Sequence, residues 1–277
     1  MKPVSVQARA KINLFLQVRG LRPDGYHEIY SLFQEISLAD TLVFHEQEWP
    51  VLRVFCPGVD EEDNLVFKAA RLIQPYAAHR KGIRIDIEKK IPMGGGLGGG
   101  SSDAAAALRQ LNQIWSCGLD ETSLMDLGSR LGSDVPFFLK GGSALARGRG
   151  ESLTYLDHPP LQGPFVIFTP PLALSTPAVY RALGLHPGTM EPEDPALHNF
   201  LEGNDIFPLR NDLYRAALRV APELKEFYAV LEEDRPDMLL MTGSGSSFWA
   251  VYPPSSLEKC TQKLTKRGQI SIVEPVH

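Results

Sequence analysis

The chain has 277 residues, 43% of them hydrophobic and 22% charged, and a net charge of −5; at roughly 150 residues per domain this length suits about two domains. A mildly acidic chain has no overall field to draw it to nucleic acid or an anionic membrane, so neither is expected as a partner. Cys56, Cys117 and Cys260 lie far apart without a CxxC pair, which argues for reduced thiols over a disulfide framework or zinc site; with no apolar leader and no long apolar run, a cytoplasmic protein is expected.

Apolar residues alternate from Val4 to Val18, which predicts a long half-buried strand with Lys11 and Asn13 pointing together off its core face. Arg22-Pro23-Asp24-Gly25 then makes a turn, since Pro presets φ and Gly accepts a positive φ. Strands are predicted at 35–44, 51–55 and 83–87, with a helix over 64–78 between them. Helices follow from Ser101 and over 121–131, then short strands from Asp134-Val135-Pro136 to Tyr155. Asp157-His158-Pro159-Pro160 reads as a linker. Beyond it come a strand at 165–168, helices over 177–183, 212–233 and 256–266, and strands at 238–241 and 248–251. Strands and helices mix without regular βα alternation, so the fold class is α+β, with domains 1–158 and 159–277.

Chemistry concentrates in Pro92-Met93-Gly94-Gly95-Gly96-Leu97-Gly98-Gly99-Gly100-Ser101-Ser102. A bare glycine run is ordinarily a flexible linker. Here a strand precedes it, and a Ser-Ser-Asp cap and an alanine-rich helix follow directly. Backbone N–H groups that approach an anion closely, backed by a helix N-terminus, suit a polyphosphate. Ser101 and Ser102 then offer hydroxyls to phosphate, or one of them holds magnesium. No Gly-Lys pair exists for a P-loop. Gly94, Gly96 and Gly99 satisfy GxGxxG, but the acidic residue closing a second strand that a nicotinamide site wants is not in place.

The order strand, glycine loop, Ser-Ser, alanine-rich helix resembles the phosphate loop of the GHMP kinases. Ala10-Lys11-Ile12-Asn13-Leu14 is similar to that family's first motif, and Thr242-Gly243-Ser244-Gly245-Ser246-Ser247 to its C-terminal glycine-rich motif. Asp24-Gly25-Tyr26-His27 and Leu131-Gly132-Ser133-Asp134-Val135-Pro136-Phe137-Phe138 are similar to the member acting on a cytidine diphosphate-linked methylerythritol in isoprenoid precursor synthesis. Ser133 and Asp103 depart slightly from the pattern.

The resemblance implies a two-domain GHMP fold with a cleft between the domains, and a kinase that uses ATP and Mg²⁺ on a small-molecule alcohol, as a monomer or weak homodimer. It makes Asp134 the general base and Lys11 its electrostatic partner. ATP falls to residues 92–102 with Asn64 and Lys89, and substrate to Asn13, Tyr26, His27, Thr176 and Tyr180. No dedicated protein ligands for a metal are expected. The Thr242–Ser247 turn is expected to confine the substrate diphosphate. From the residues alone, Lys11 is equally a solvated strand lysine, Tyr180 a core aromatic, and Arg147 and Arg149 either diphosphate contacts or a solvated loop face. A GHMP kinase for another alcohol and a non-catalytic nucleotide-binding module remain alternatives.

Overall fold

Alternating apolar residues build two unusually long strands, β1 (Val4–Leu21) and β2 (His27–Gln47), of 18 and 21 residues. They open a computed structural model that describes residues 2–79, 81–188, 190–203 and 207–276. Then come β3 (Leu52–Phe55), α1 (Leu65–Ile73), β4 (Gly82–Glu88), α2 (Gly99–Ile114), α3 (Glu121–Leu131), α4 (Val135–Lys140), β5 (Ser143–Arg147) and β6 (Ser152–Leu156). The remainder is β7 (Phe165–Thr169), α5 (Thr176–Ala182), α6 (Pro195–Leu201), β8 (Arg210–Asn211), α7 (Leu213–Val220), α8 (Leu224–Glu232), β9 (Met238–Met241), β10 (Phe248–Val251), α9 (Pro254–Leu264) and β11 (Gln269–Val273). The fold is α+β. No helix among the described residues is long and apolar enough to cross a membrane.

Two compact units emerge, one from residues 2–10, 38–91 and 98–141, the other from 11–37, 92–97 and 142–276. A single cut at 158 is what composition suggests. The units interleave instead, because β1 and β2 are long enough to contribute to both.

In the first unit β3 runs parallel to β4, and β4 antiparallel to the C-terminal part of β2. Helices α1 and α2 pack on each other, and Ala69 and Ala70 of one and Ala104 to Ala107 of the other are all buried. Asn64 starts α1: its side-chain oxygen accepts the Val66 N–H at 2.8 Å, as an N-cap does. Asn64→Ala should therefore lower stability by about 1 kcal/mol, read as a lower urea midpoint at unchanged slope.

In the second unit the N-terminal part of β2 pairs with β5, and β5 with β6, while β1 pairs in parallel with β8. A separate antiparallel sheet runs β11-β7-β10-β9, its core filled by Phe165, Phe168, Phe248 and Trp249.

Several local expectations change. Strands were the reading after Pro136, but the chain first turns through α4, with Pro136 in the first turn where its missing N–H costs nothing. One helix over 212–233 becomes α7 and α8. Pro222 has no N–H to donate, and Ala221 before it leaves the helical region at φ −142°, ψ 88°. The helix expected over 64–78 ends at Ile73, where Pro75 brings a 3₁₀ turn.

Candidate active site

From Ala10 to Val18 every residue of β1 is buried, so the half-buried strand is covered on both faces there. Lys11 and Asn13 do point the same way, but into the protein: they are 4% and 1% exposed. The Lys11 ammonium donates to Asn13 Oδ1 at 2.8 Å and lies 4.4 Å from the centre of the Phe33 ring. Asn13 Nδ2 in turn donates to Ser31 Oγ at 2.9 Å. Both ends of the Asn13 amide are thus engaged inside the protein, and what that arrangement does is aim the lysine.

The same stretch of β1 holds the first half of the glycine loop. Lys11 N–H donates to the Leu97 carbonyl at 3.0 Å. Two residues on, Asn13 N–H donates to Thr242 Oγ1 at 2.9 Å and the Asn13 carbonyl accepts from Trp249 Nε1 at 2.8 Å. Pairing with β8 begins at Phe15. Loop, side chains and strand in turn satisfy one edge of β1, as buried backbone groups require.

Sequence reasoning gave Thr242–Ser247 to the substrate diphosphate. Its hydroxyls are engaged elsewhere: Ser247 Oγ with Thr169 Oγ1 at 2.7 Å, Ser244 Oγ with Thr176 Oγ1 at 2.8 Å, and Ser246 Oγ with the Leu172 carbonyl. The turn also donates Ser247 N–H to the Gly95 carbonyl at 3.1 Å. Buried throughout, it braces the loop from Gly95 to Leu97. Gly96 shows how closely: at φ +76°, a Cβ there would stand 2.3 Å from the Thr242 carbonyl oxygen.

In the first unit the loop runs into α2, which starts from Gly98 in the left-handed region at φ 74°. Its first turn presents Gly99, Gly100, Ser101 and Ser102. Ser102 is buried and Ser101 half-buried. A Cβ on Gly132 would lie 3.9 Å from Ser101 Oγ, so the turn carrying Asp134 packs against the start of α2. Asp134, half-buried at the N-terminus of α4, makes no capping bond there with its side chain. Lys89 donates to Asp103 Oδ2 at 2.7 Å and to Asp40 Oδ2. Burial works against its charge, but the two carboxylates prevail and hold its pKa above the usual lysine value. Among the described residues, no three His, Cys, Asp or Glu side chains converge as a metal site.

The predicted turn is present. Arg22 N–H donates to the Tyr26 carbonyl at 2.7 Å, and Asp24 Oδ1 accepts the Tyr26 N–H at 3.1 Å, which holds the Asp24 carboxyl below its usual value. This leaves Tyr26 53% exposed, with the Arg149 guanidinium 4.6 Å over one face of its ring. A planar ligand stacks only on the other face. His27 meets Tyr180 of α5, ring centroids 4.8 Å apart and planes tilted by 39°. Burial lowers the His27 pKa, so its ring is neutral at physiological pH, with one donor and one acceptor nitrogen. Arg147 is bound by Glu193, Nε to Oε1 at 2.7 Å and Nη2 to Oε2 at 3.0 Å. That bidentate pair commits two of its donor nitrogens to Glu193, while Arg149 lies beside Tyr26.

The sequence candidates divide between the two units. Asn64, Lys89, Ser101, Ser102 and Asp134 fall in the first; Lys11, Asn13, Tyr26, His27, Thr176 and Tyr180 fall in the second. Glu193, which fixes Arg147, and Trp249, which holds β1, carry no local signal that singles them out.

Comparison with known proteins bears on the family. Residues 64–142 match the GHMP kinases N terminal domain. Over 248 residues the chain is 42% identical to the 4-diphosphocytidyl-2-C-methyl-D-erythritol kinase of Ralstonia nicotianae, covering 88% of this chain and 84% of that one. Its counterpart in Methylococcus capsulatus is 39% identical over 269 residues, 96% of this chain and 89% of its own length. A crystal structure of 4-(cytidine 5'-diphospho)-2C-methyl-D-erythritol kinase superposes with a TM-score of 0.82 at 38% identity, over 99% of this chain and 100% of the other. Methanococcus jannaschii mevalonate kinase, 12% identical with a TM-score of 0.71, covers 100% of this chain and 99% of its own and shares the fold. With two-fifths of its residues held in common across nearly its whole length, the chain belongs to the 4-diphosphocytidyl-2-C-methyl-D-erythritol kinases of the GHMP kinase family.

Proposed function

We propose that the chain transfers the γ-phosphoryl group of ATP to the 2-hydroxyl of 4-diphosphocytidyl-2-C-methyl-D-erythritol, in the cytoplasm, on the non-mevalonate route to isoprenoid precursors. Beyond family membership, one observation carries the substrate: the His27–Tyr180 ring pair beside an exposed Tyr26, in the unit that also holds Lys11. Cytosine offers a π-face and a hydrogen-bonding edge. Tyr26 and Tyr180 supply faces, and neutral His27 has a donor and an acceptor for the edge. Mevalonate and homoserine have no base to be read this way.

In this reading the backbone N–H groups of residues 94–102 and the start of α2 take the triphosphate. Asp134 accepts the proton of the attacking hydroxyl. Lys11, aimed by Asn13, stabilises the charge that develops on the transferring phosphoryl group. Thr176, hydrogen-bonded to Ser244 one turn before Tyr180, sets the start of α5 and with it the Tyr180 ring. The nucleotide residues then all lie within 1–158, and α5 in 159–277 adds Thr176 and Tyr180 to a substrate side begun by Asn13, Tyr26 and His27. The residues fit a magnesium ion that arrives with the nucleotide, since Ser101 and Ser102 offer hydroxyl oxygens at the start of α2. When bound, the ion neutralises charge on the β- and γ-phosphates.

The test is ADP release from ATP and magnesium with this cytidyl substrate, run beside mevalonate, homoserine and galactose at equal concentration. Turnover with the cytidyl compound alone is expected. Turnover with another alcohol instead would overturn the substrate, and silence with all four would overturn the kinase.

A further inference from the structure

Three ionisable side chains, Asp40, Lys89 and Asp103, come together inside the first unit, and of these only Lys89 has been given a chemical role above. Asp40 of β2 is well satisfied: Oδ1 accepts the backbone N–H groups of Lys90 at 2.6 Å and Ile91 at 2.8 Å, and Oδ2 accepts from Lys89. Asp103 of α2 shares that one ammonium and is poorly satisfied. Its Oδ2 accepts from Lys89 at 2.7 Å, while its Oδ1 is buried without a hydrogen-bond partner. Two carboxylates around one ammonium leave an uncompensated negative charge in the interior, which is costly. A proton on Asp103 removes it, because that is the carboxylate with the fewest donors.

Among the described residues, Lys89 is the only cation paired with either carboxylate. Helices α1, α3 and α4 pack on α2 and bury Val66, Ala69, Ala70 and Ile73, Leu124 and Leu127, and Val135, Phe137 and Phe138. Cys56, after β3, is the other titratable group coupled to the cluster, and burial pushes its thiol up, so it stays protonated. Burial likewise pushes Asp103 up to about 7, against the pull of Lys89 and with the push of Asp40.

The cluster lies under the phosphate end of α2. A Cβ on Gly99 would stand 3.3 Å from Lys89 Nζ, and Asp103 is one turn further along the same helix. We propose that Asp103 is a positioning residue for the nucleotide: with Asp40 and Lys89 it holds a proton beneath the first turn of α2, and losing that proton weakens triphosphate binding there. With the proton the cluster is neutral; without it a net negative charge sits behind a helix N-terminus that must hold an anion. The inference rests on ATP binding at this loop.

KM for ATP is measured on the full chain from pH 6 to 8.5, for wild type and Asp103→Asn, at saturating acceptor. The wild-type KM should rise about twofold to tenfold relative to the variant across neutrality, with kcat moving in parallel in both proteins. Taking the ratio of the two cancels the titration of the nucleotide itself. Equal pH profiles would overturn the proposal. A second readout needs no nucleotide: the pH dependence of the thermal midpoint of the ligand-free proteins. A carboxyl raised on folding contributes stability that is full below its unfolded value of 3.8 and lost as pH rises from there through about 7, so wild type should fall relative to Asp103→Asn across that window and run parallel to it above. Parallel curves across the window would refute the proton. Should the variant not fold, carboxyl ¹³C shifts of the wild type report the same group; one titrating near neutrality supports the proposal, and none above pH 5 overturns it. Failure of ATP to bind either protein would overturn the nucleotide reading and this coupling together, while the ligand-free titration still reported the proton on its own.

Discussion

Asp134→Asn is expected to fold as wild type does and to lose about 10²–10⁴ in kcat, the usual contribution of a general base. The substitution keeps shape and removes the carboxylate's charge and its capacity to take a proton. Because the Asp134 side chain makes no capping bond to α4, an amide there should leave that helix in place. The backbone also tolerates the change, at φ −85°, ψ −15° with no glycine-only requirement. Steady-state ADP release, beside a thermal melt of each protein, separates the two effects. A fall in kcat at unchanged melting supports the base. More than half the wild-type activity would exclude it, and a rise in KM at constant kcat would make Asp134 a substrate-binding residue instead.

Gly96→Ala should be the most damaging single methyl group in the glycine loop. Two costs add. A non-glycine residue at φ +76° carries about 1–2 kcal/mol of backbone strain. The new Cβ would also stand 2.3 Å from the Thr242 carbonyl oxygen and 3.1 Å from that of Gly245, both backbone atoms of the bracing turn. Neither turns away as a side chain does, so the loop must move off its support. We expect a stability loss of about 2–4 kcal/mol by urea unfolding, with KM for ATP raised about tenfold or more. Gly25→Ala is the control, with a similar φ of +82° and nothing within 4 Å of the added Cβ, so strain alone is tested. Equal losses at the two positions would show that the brace is not what Gly96 serves.

Local chemistry was legible in the sequence where a short stretch carries its own instructions. The bounds of α3, β9 and β10 follow from patterning, and so do the Arg22–Gly25 turn and a glycine loop that runs into a helix. Residues joined only by folding were not legible. Period-two alternation makes Lys11 look like a solvated lysine, because nothing near it says that Thr242 and Trp249 will cover that strand. That the Thr242–Ser247 turn braces the glycine loop was hidden for the same reason: the partners of its serines, Thr169, Thr176 and Leu172, lie about 70 residues away. Asn64 was read as a nucleotide contact, although Asn ahead of an apolar helical run is also a capping signal. The stretch from Gly184 to Glu202 gave no reading. In the structure it docks on β1 through Glu191, Pro192 and Asp194, contacts that Arg19 and Gln17 complete.

The chain passes from one compact unit to the other at 10/11, 37/38, 91/92, 97/98 and 141/142. Two of these passages bracket Pro92–Leu97, so the glycine loop begins in one unit and ends in the other along the path of the polypeptide. Neither unit can therefore be inherited, exchanged or lost as a cassette. A recombination breakpoint between residues 11 and 141 joins segments from two parents within the same unit, where strands and helices must pack on partners they did not evolve with. Divergence in such an architecture has to proceed by point substitution and by lengthening surface segments, with the loop and both long strands carried along intact.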